Sequence, residues 1–319
     1  MGDGLVAVFI VRRLINLIPV ALLVLIVTFS LIHVAPGNPA YTILGEQASP
    51  TAVRLLDQKM GLDHPLIVQF GTYVVSVLHG NLGTSLLDGQ SVTSLIVTRL
   101  PVTLELSILA VVLSLVIALP TGILAAYRPN TWIDSVSRLL ALLGAAIPNF
   151  WLGLLLVYVF AVTLRWAPAL GWVPINVSVF GNLGHLIMPT IVLALPLAAI
   201  TSRVLRGELL EVMHRIYIQV ARAKGVKEWG VVMRHGVRNA LIPVVTVIGL
   251  QVGGLLGGVV ITESIFSLPG MGQLVVNAIF NRDYPVLQGS VLFMALVVLL
   301  ANLAVDLIYA WVDPRIRYN

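Results

Sequence analysis

Six stretches of this 319-residue chain are apolar over about the thickness of a bilayer: Leu14–Val34, Val102–Ala126, Val136–Leu164, Leu186–Ser202, Leu241–Phe266 and Val286–Trp311. A hydrocarbon layer of roughly 30 Å is crossed by about 20 apolar residues in a helix. Lipid offers the backbone no hydrogen-bond partner, so a spanning segment must bond within itself or close into a barrel. These runs are continuous rather than alternating, which selects helices. Hydrophobic residues make up 58% of the chain and charged residues 10%, too few charges to coat a soluble fold of this length. The sequence therefore predicts an all-α polytopic membrane protein with six transmembrane helices. The fourth run is the shortest and holds Pro189 and Pro196. Pro196 and the pair Pro148-Asn149 in the third run are expected to kink their helices.

The basic residues set the orientation. With the N-terminus inside, fourteen Lys and Arg face the cytoplasm, among them Arg12, Arg13, Arg128, Arg138, Arg203, Arg206, Arg222, Lys224 and Arg238, and five face outward: Arg54, Lys59, Arg99, Arg165 and Arg282. Both termini are expected inside. The net charge of +5 is then mostly a topology signal, and no nucleic-acid partner is inferred. The first run is longer than the about 7–15 apolar residues of a signal peptide and lacks a small-x-small cleavage site, so it reads as a retained helix. The chain has no cysteine, which excludes disulfides and thiolate metal sites.

The spans divide the chain into a cytoplasmic N-terminus (1–13), a first transmembrane helix (14–34), an extracytoplasmic segment (35–100) and a transmembrane domain (101–319). Within residues 35–100, Ser49-Pro50 opens a helix that Gly61 ends, Leu66–Leu78 is a second helix, and His79–Gly83 a turn. The segment reads as a small cap packed on the bundle. Whether it only braces the helices or also touches a substrate-delivering protein stays open. Trp166 and Trp172, between the third and fourth spans, suit the interfacial aromatic belt.

A basic, amphipathic insert, residues 203–240, separates the fourth and fifth spans. Glu208 and Glu211 are expected to open a helix, where carboxylates suit the positive end. Gly225 ends it after Ala221-Arg-Ala-Lys, with Arg222 and Lys224 at its negative end. A second helix, about Lys227–Asn239, leads to Pro243. This helix–Gly–helix hairpin, alanine-faced and smooth, is a handle for a cytoplasmic protein.

The chemistry that is missing is equally informative. No phosphate-binding Gly-x-x-x-x-Gly-Lys-Ser/Thr, His-Glu-x-x-His or Gly-x-Ser-x-Gly sequence occurs. The six histidines (His33, His64, His79, His185, His214 and His235) lack ligand spacing. No catalytic residue, metal site or cofactor is assigned. Carboxylates within apolar runs carry a functional question because they insert at a cost of about 2.5–3.5 kcal/mol. Glu105 and Asp306 lie near span ends and read as structural, each pairing with a polar neighbour. Glu263 is open between structural and pathway roles. None forms the mid-membrane relay of a proton-driven carrier. In the fifth span Gly249, Gly253 and Gly257 recur every four residues, with Gly254 and Gly258 beside them. Such spacing lets backbones approach closely. It reads either as a static seam or as a sliding contact along a gated path, with Gln251 as a polar wall residue. Asn149, Gln251, Gly253, Gly254, Gly257 and Glu263 are the pathway candidates.

Taken together, Arg12-Arg13, Pro36-Gly-Asn-Pro39, Gly61-Leu-Asp-His-Pro-Leu66, Arg99-Leu-Pro-Val-Thr-Leu-Glu-Leu106, Ala221-Arg-Ala-Lys-Gly225, Arg238-Asn-Ala-Leu-Ile-Pro-Val-Val-Thr246, Pro269-Gly-Met-Gly272, Arg282-Asp-Tyr-Pro285 and Asp313-Pro-Arg-Ile-Arg317 carry a resemblance. Over essentially its full length the chain resembles the first permease subunit of the dipeptide/oligopeptide/nickel branch of ATP-binding-cassette importers. The resemblance implies a type I importer permease fold in a bacterial inner membrane. The implied partners are a second, similar permease, two cytoplasmic ATPases that bind the ATP, and an extracytoplasmic substrate-binding protein. The implied cargo is a peptide, with glutathione, an opine or a nickel chelate as alternatives. The coupling pattern Glu-Ala-Ala-x-x-x-Gly of such permeases maps onto Gln219, Val220, Ala221, Arg222, Ala223, Lys224 and Gly225, with glutamine and valine replacing glutamate and the first alanine. A bulky residue at Ala221 or Gly225 is expected to uncouple transport without preventing insertion. A secondary transporter would need inverted repeats and a midplane ion site, and neither is visible; a transport-free scaffold is the other rival.

Overall fold

The computed structural model describes residues 3–34, 39–44 and 48–312. In chain order the helices are α1 (Asp3–Val34), α2 (Pro39–Leu44), α3 (Pro50–Met60), α4 (Leu66–Leu78), α5 (Val92–Tyr127), α6 (Trp132–Ala146), α7 (Asn149–Leu156), α8 (Val179–Met213), α9 (Ile216–Ala223), α10 (Glu228–Gly230), α11 (Arg238–Phe266), α12 (Met271–Phe280) and α13 (Tyr284–Val312). Two wider, π-type stretches, Val157–Thr163 and Val231–Val237, continue α7 and join α10 to α11. Among the described residues the only β pairing is the isolated bridge Thr84–Ser91.

The described residues fall into two compact units, one from Met1–Thr103 and Pro269–Leu300, the other from Leu104–Leu268 and Ala301–Asn319. In the first, α3 follows its sequence signals closely. Ser49 Oγ accepts from the Ala52 N–H, Pro50 takes the first turn, and Gly61 at φ +70° closes the helix. The Leu62 N–H then returns to the Asp57 carbonyl at 2.9 Å, completing a left-handed C-terminal cap. Val92, Ile96, Met271, Ala278 and Val286 form the apolar core of this unit. Asp283, almost fully buried, is satisfied by the Ser85 hydroxyl at 2.6 Å and the Leu86 N–H at 3.2 Å. These contacts pack the segment before α5 against α12 and α13.

The second unit is organised around α8. Gly122 of α5 lets that helix close on α8: a Cβ there would lie 2.9 Å from the Ser202 carbonyl oxygen. Leu205 and Leu209, both fully buried, continue the contact into a core with Ile123, Ala126, Val232, Val237, Ala240 and Val244. This core explains two departures from expectation. Helix α8 does not stop near Ser202; its apolar face recurs every four residues through Leu205 and Leu209, and the helix runs to Met213. Glu208 and Glu211 therefore sit in its last turns rather than opening a new helix, and Glu211 forms an ion pair with Arg215. Pro189 and Pro196 are accommodated inside α8, where neighbouring helices bury that face.

The third expected span is also different. It is broken rather than kinked: α6 and the α7 segment meet at 99°. Ile147, forced out of helical geometry by the following proline, adopts φ −74°, ψ 123°. Among the described residues five helices are long and apolar enough to cross a membrane, and two broken pairs raise the possible number to seven. The chain is thus helical and multi-pass. Positions 36–38 and 313–317 of the motifs, and the side chains of Arg12, Arg13 and Asp306, lie outside the described residues, although the backbone of Asp306 belongs to α13.

Candidate functional site

The hairpin after α8 is built from a short helix with two unlike faces. Ile218 is fully buried and Ala221, one turn on, is 8% exposed; both pack on Val231, flanked by Val212 and Met213. Burying a side chain such as Ile218 is worth about 1.5–3 kcal/mol, enough to seat an eight-residue helix that would not form alone. Alanine at 221 keeps the α9 backbone close to the wide helical stretch beneath it.

The helix ends as the sequence predicts. Gly225 lies at φ +76°, its N–H donating to the Arg222 carbonyl at 2.9 Å, while the Val226 N–H reaches the Ala221 carbonyl at 3.3 Å. No atom lies within 4 Å of where a Cβ of residue 225 would sit, so the glycine is required for its backbone conformation, not for space. Beyond the turn, Arg222 Nε and Nη2 donate to Glu228 Oε2 and Oε1 at 3.0 and 2.6 Å. That hydrogen-bonded carboxylate holds Arg222 above the usual guanidinium range. Trp229 then packs edge-on against Tyr127 of α5, ring centres 5.3 Å apart.

The outer face of α9 has no such partners. Ile216 is 78% exposed, and Tyr217 and Val220 are close to half exposed. Gln219, Ala223 and Lys224 are exposed beside them. Three apolar side chains thus share one exposed face of a helix that is fixed from behind.

The other sequence candidates do not gather into one cluster. Gln251 Nε2 donates to Thr201 Oγ1 of α8 at 3.0 Å, and its Oε1 is buried without a partner. It borders a cavity of about 10 Å³ with Ser114 and Thr201, close to the least space a single water needs. Asn149 opens α7, and its Nδ2 would lie 3.2 Å from a Cβ at Gly258. Glu263 is fully buried. Glu105 accepts from the Trp172 indole at 3.2 Å, so this tryptophan is tied to α5 within the unit.

The glycine run of α11 serves different neighbours. A Cβ at Gly249 would collide with Val305, and one at Gly253 would lie 2.7 Å from Asn302 Oδ1. Gly254 and Gly257 meet nothing within 4 Å. Part of the run is therefore a packing seam, and part is open.

One constellation has no counterpart in the sequence reading. Asp134, completely buried, receives Arg206 Nε and Nη2 at 2.6 and 2.8 Å and the Asn130 N–H at 3.0 Å, with Arg138 at 3.5 Å. It clamps the start of α6 to α8. A lone aspartate four residues before an arginine, on the side richest in cations, was the signal available in the sequence. Among the described residues no group of three His, Cys, Asp or Glu could hold a metal ion.

The comparisons with known proteins decide the class. The model of the binding-protein-dependent transport system inner membrane component matches residues 118–318, and that of its N-terminal region matches residues 6–107. The chain belongs to this family. It is similar to the dipeptide transport system permease protein DppB of Alkalihalophilus pseudofirmus, 43% identical over 96% of this chain and 98% of the relative. It is also similar to the glutathione transport system permease protein GsiC of Salmonella typhi, 41% identical over 98% and 99%. Among solved structures, the MetNI methionine ABC transporter in inward-facing conformations shares the fold, with a TM-score of 0.57 over 69% of this chain and 96% of that one at 19% identity. The chain is accordingly an importer permease of the ATP-binding-cassette class in the inner membrane, as the sequence resemblance implied.

Proposed function

We propose that this permease carries peptides, forming half of a translocation path with a second, similar permease. Two cytoplasmic ATPases bind the ATP and drive the cycle, and an extracytoplasmic binding protein delivers the cargo. The names of the two curated relatives support a peptide cargo, since glutathione is itself a tripeptide. Six spans follow if α6 and α7 count as a single bent crossing, with both termini, residues 1–13 and the hairpin 203–240 on the cytoplasmic side. Residues 35–100 form the outer cap that meets the binding protein.

The observation that carries this reading is the two-faced α9: Ile218 and Ala221 rooted in the hairpin, Ile216, Tyr217 and Val220 exposed. A displacement of α9 by a closing ATPase passes through Val212, Met213 and Val231 into α8 and the stretch that leads to α11. The energy comes from the partners, because the sequence holds no phosphate-binding loop.

The test is uptake of a labelled dipeptide into proteoliposomes holding both permeases and both ATPases. Uptake is expected to require ATP and the binding protein. Val220→Glu should abolish uptake and release the ATPases while the chain still inserts. Retained ATPase association in that variant would remove α9 as the docking helix, and uptake driven by a proton gradient without ATP would overturn the mechanism itself.

A further inference from the structure

A cleft of about 250 Å³ opens in the second unit between α5, α6 and α8. Gly122, Ala141 and Leu142 line it together with Arg138, Arg203 and Arg206. The three guanidinium groups are not equally engaged. Arg206 directs Nε and Nη2 at Asp134, and Arg138 reaches the same carboxylate only at 3.5 Å, with 55% of its side chain exposed. No carboxylate among the described residues pairs with Arg203. Three cations against Asp134 leave an excess of two positive charges at the cleft.

The surface beside this charge is apolar. Leu139, Leu142 and Leu143 form a stripe along α6, 54%, 59% and 47% exposed. A small anion would satisfy the arginines and leave the leucine stripe unmatched. A ligand with an anionic head and a hydrocarbon tail matches both, and basic pockets between transmembrane helices favour such headgroups. We propose that this cleft holds one anionic phospholipid, its phosphate between Arg138 and Arg203 and an acyl chain along Leu142 and Leu143. Arg206 stays with Asp134 and shapes the cleft wall.

The full chain, purified in detergent and exposed to equal amounts of phosphatidylglycerol and phosphatidylethanolamine, would be examined by native mass spectrometry. Phosphatidylglycerol is expected to be retained preferentially. Removing each arginine, as Arg138→Gln and Arg203→Gln, should lower that preference roughly fivefold, in line with the value of a basic side chain near a lipid surface. The double variant should bind the two lipids about equally. Arg203→Lys, which keeps the charge, should retain most of the preference and guards against misfolding of the glutamine variants. Equal retention of the two lipids by the unaltered chain would overturn the proposal. So would an unchanged preference in the double variant, or displacement of phosphatidylglycerol by millimolar inorganic phosphate, which would make the site one for a free anion.

Discussion

Two arginine–carboxylate pairs in this permease have nearly the same bidentate geometry and opposite surroundings. Asp134 and Arg206 meet at 2.6 and 2.8 Å with the aspartate wholly buried, whereas Arg222 and Glu228 meet at 2.6 and 3.0 Å with both side chains more than 40% exposed. The first ties α6 to α8 inside the second unit. The second fastens the far end of α9 across Gly225. Identical chemistry thus serves a frame in one place and a separable handle in the other, because burial sets what losing a partner costs.

The comparison breaks most easily at Asp134. Asp134→Asn keeps the shape and removes the charge, leaving Arg206 without its partner in a mostly buried site. Loss of one member of a buried pair costs about 3–5 kcal/mol, and the value here should be about 3 kcal/mol because 21% of the Arg206 side chain stays exposed. Equilibrium unfolding in detergent measures it, and pairing the change with Arg206→Met should recover most of the loss. A loss below about 0.5 kcal/mol would place this pair with ordinary surface pairs.

Next comes the handle itself. Ala221 faces inward, so Ala221→Leu should overpack the contact with Val231 and lift α9, at about 1–3 kcal/mol. Because only the hairpin is affected, the chain should insert normally while ATP-driven uptake collapses. Gly225→Ala should be milder, about 1 kcal/mol, since the cost is a left-handed backbone with no clash. Uptake assays with matched membrane levels separate the two: equal effects would mean that the left-handed turn at residue 225 matters as much as the buried contact of Ala221.

Much of this was readable in the residues. Ser49-Pro50 and Gly61 bound α3, and Gly225 closes α9, because capping depends on a few local side chains and one backbone angle. What escaped was set by distant contacts. Glu208 and Glu211 looked like the opening of a helix, yet Leu205 and Leu209 carry α8 past them by packing on Ile123 and Val232. Pro148 breaks its span while Pro189 and Pro196 do not, since α8 is buried where it carries its prolines and α6 leaves Leu139, Leu140, Leu142 and Leu143 exposed. Asp134 is inconspicuous in the sequence because its importance lies in Arg206, 72 positions away. In α9 the pattern gives the end of the helix at Gly225 but the wrong face: the alanine face reads as the gripping surface, whereas Ala221 is inside and Ile216, Tyr217 and Val220 are exposed, because Ile218 and Ala221 pack on Val231.

The smallest expected effect tests the exposed pair. Arg222→Ala removes two charge-assisted hydrogen bonds, yet water and ions reach both partners, so the stability lost should be about 0.2–1 kcal/mol. Most of that difference should vanish as salt rises from 0.05 to about 1 M, where screening acts over roughly 3 Å. Uptake at low salt should fall modestly, because Ile218 and Ala221 still seat the helix when its far end is loosened. A salt-independent loss as large as that at Asp134 would mean that the hairpin is desolvated in the working assembly, with the ATPase covering Arg222 and Glu228 as well as the apolar face of α9.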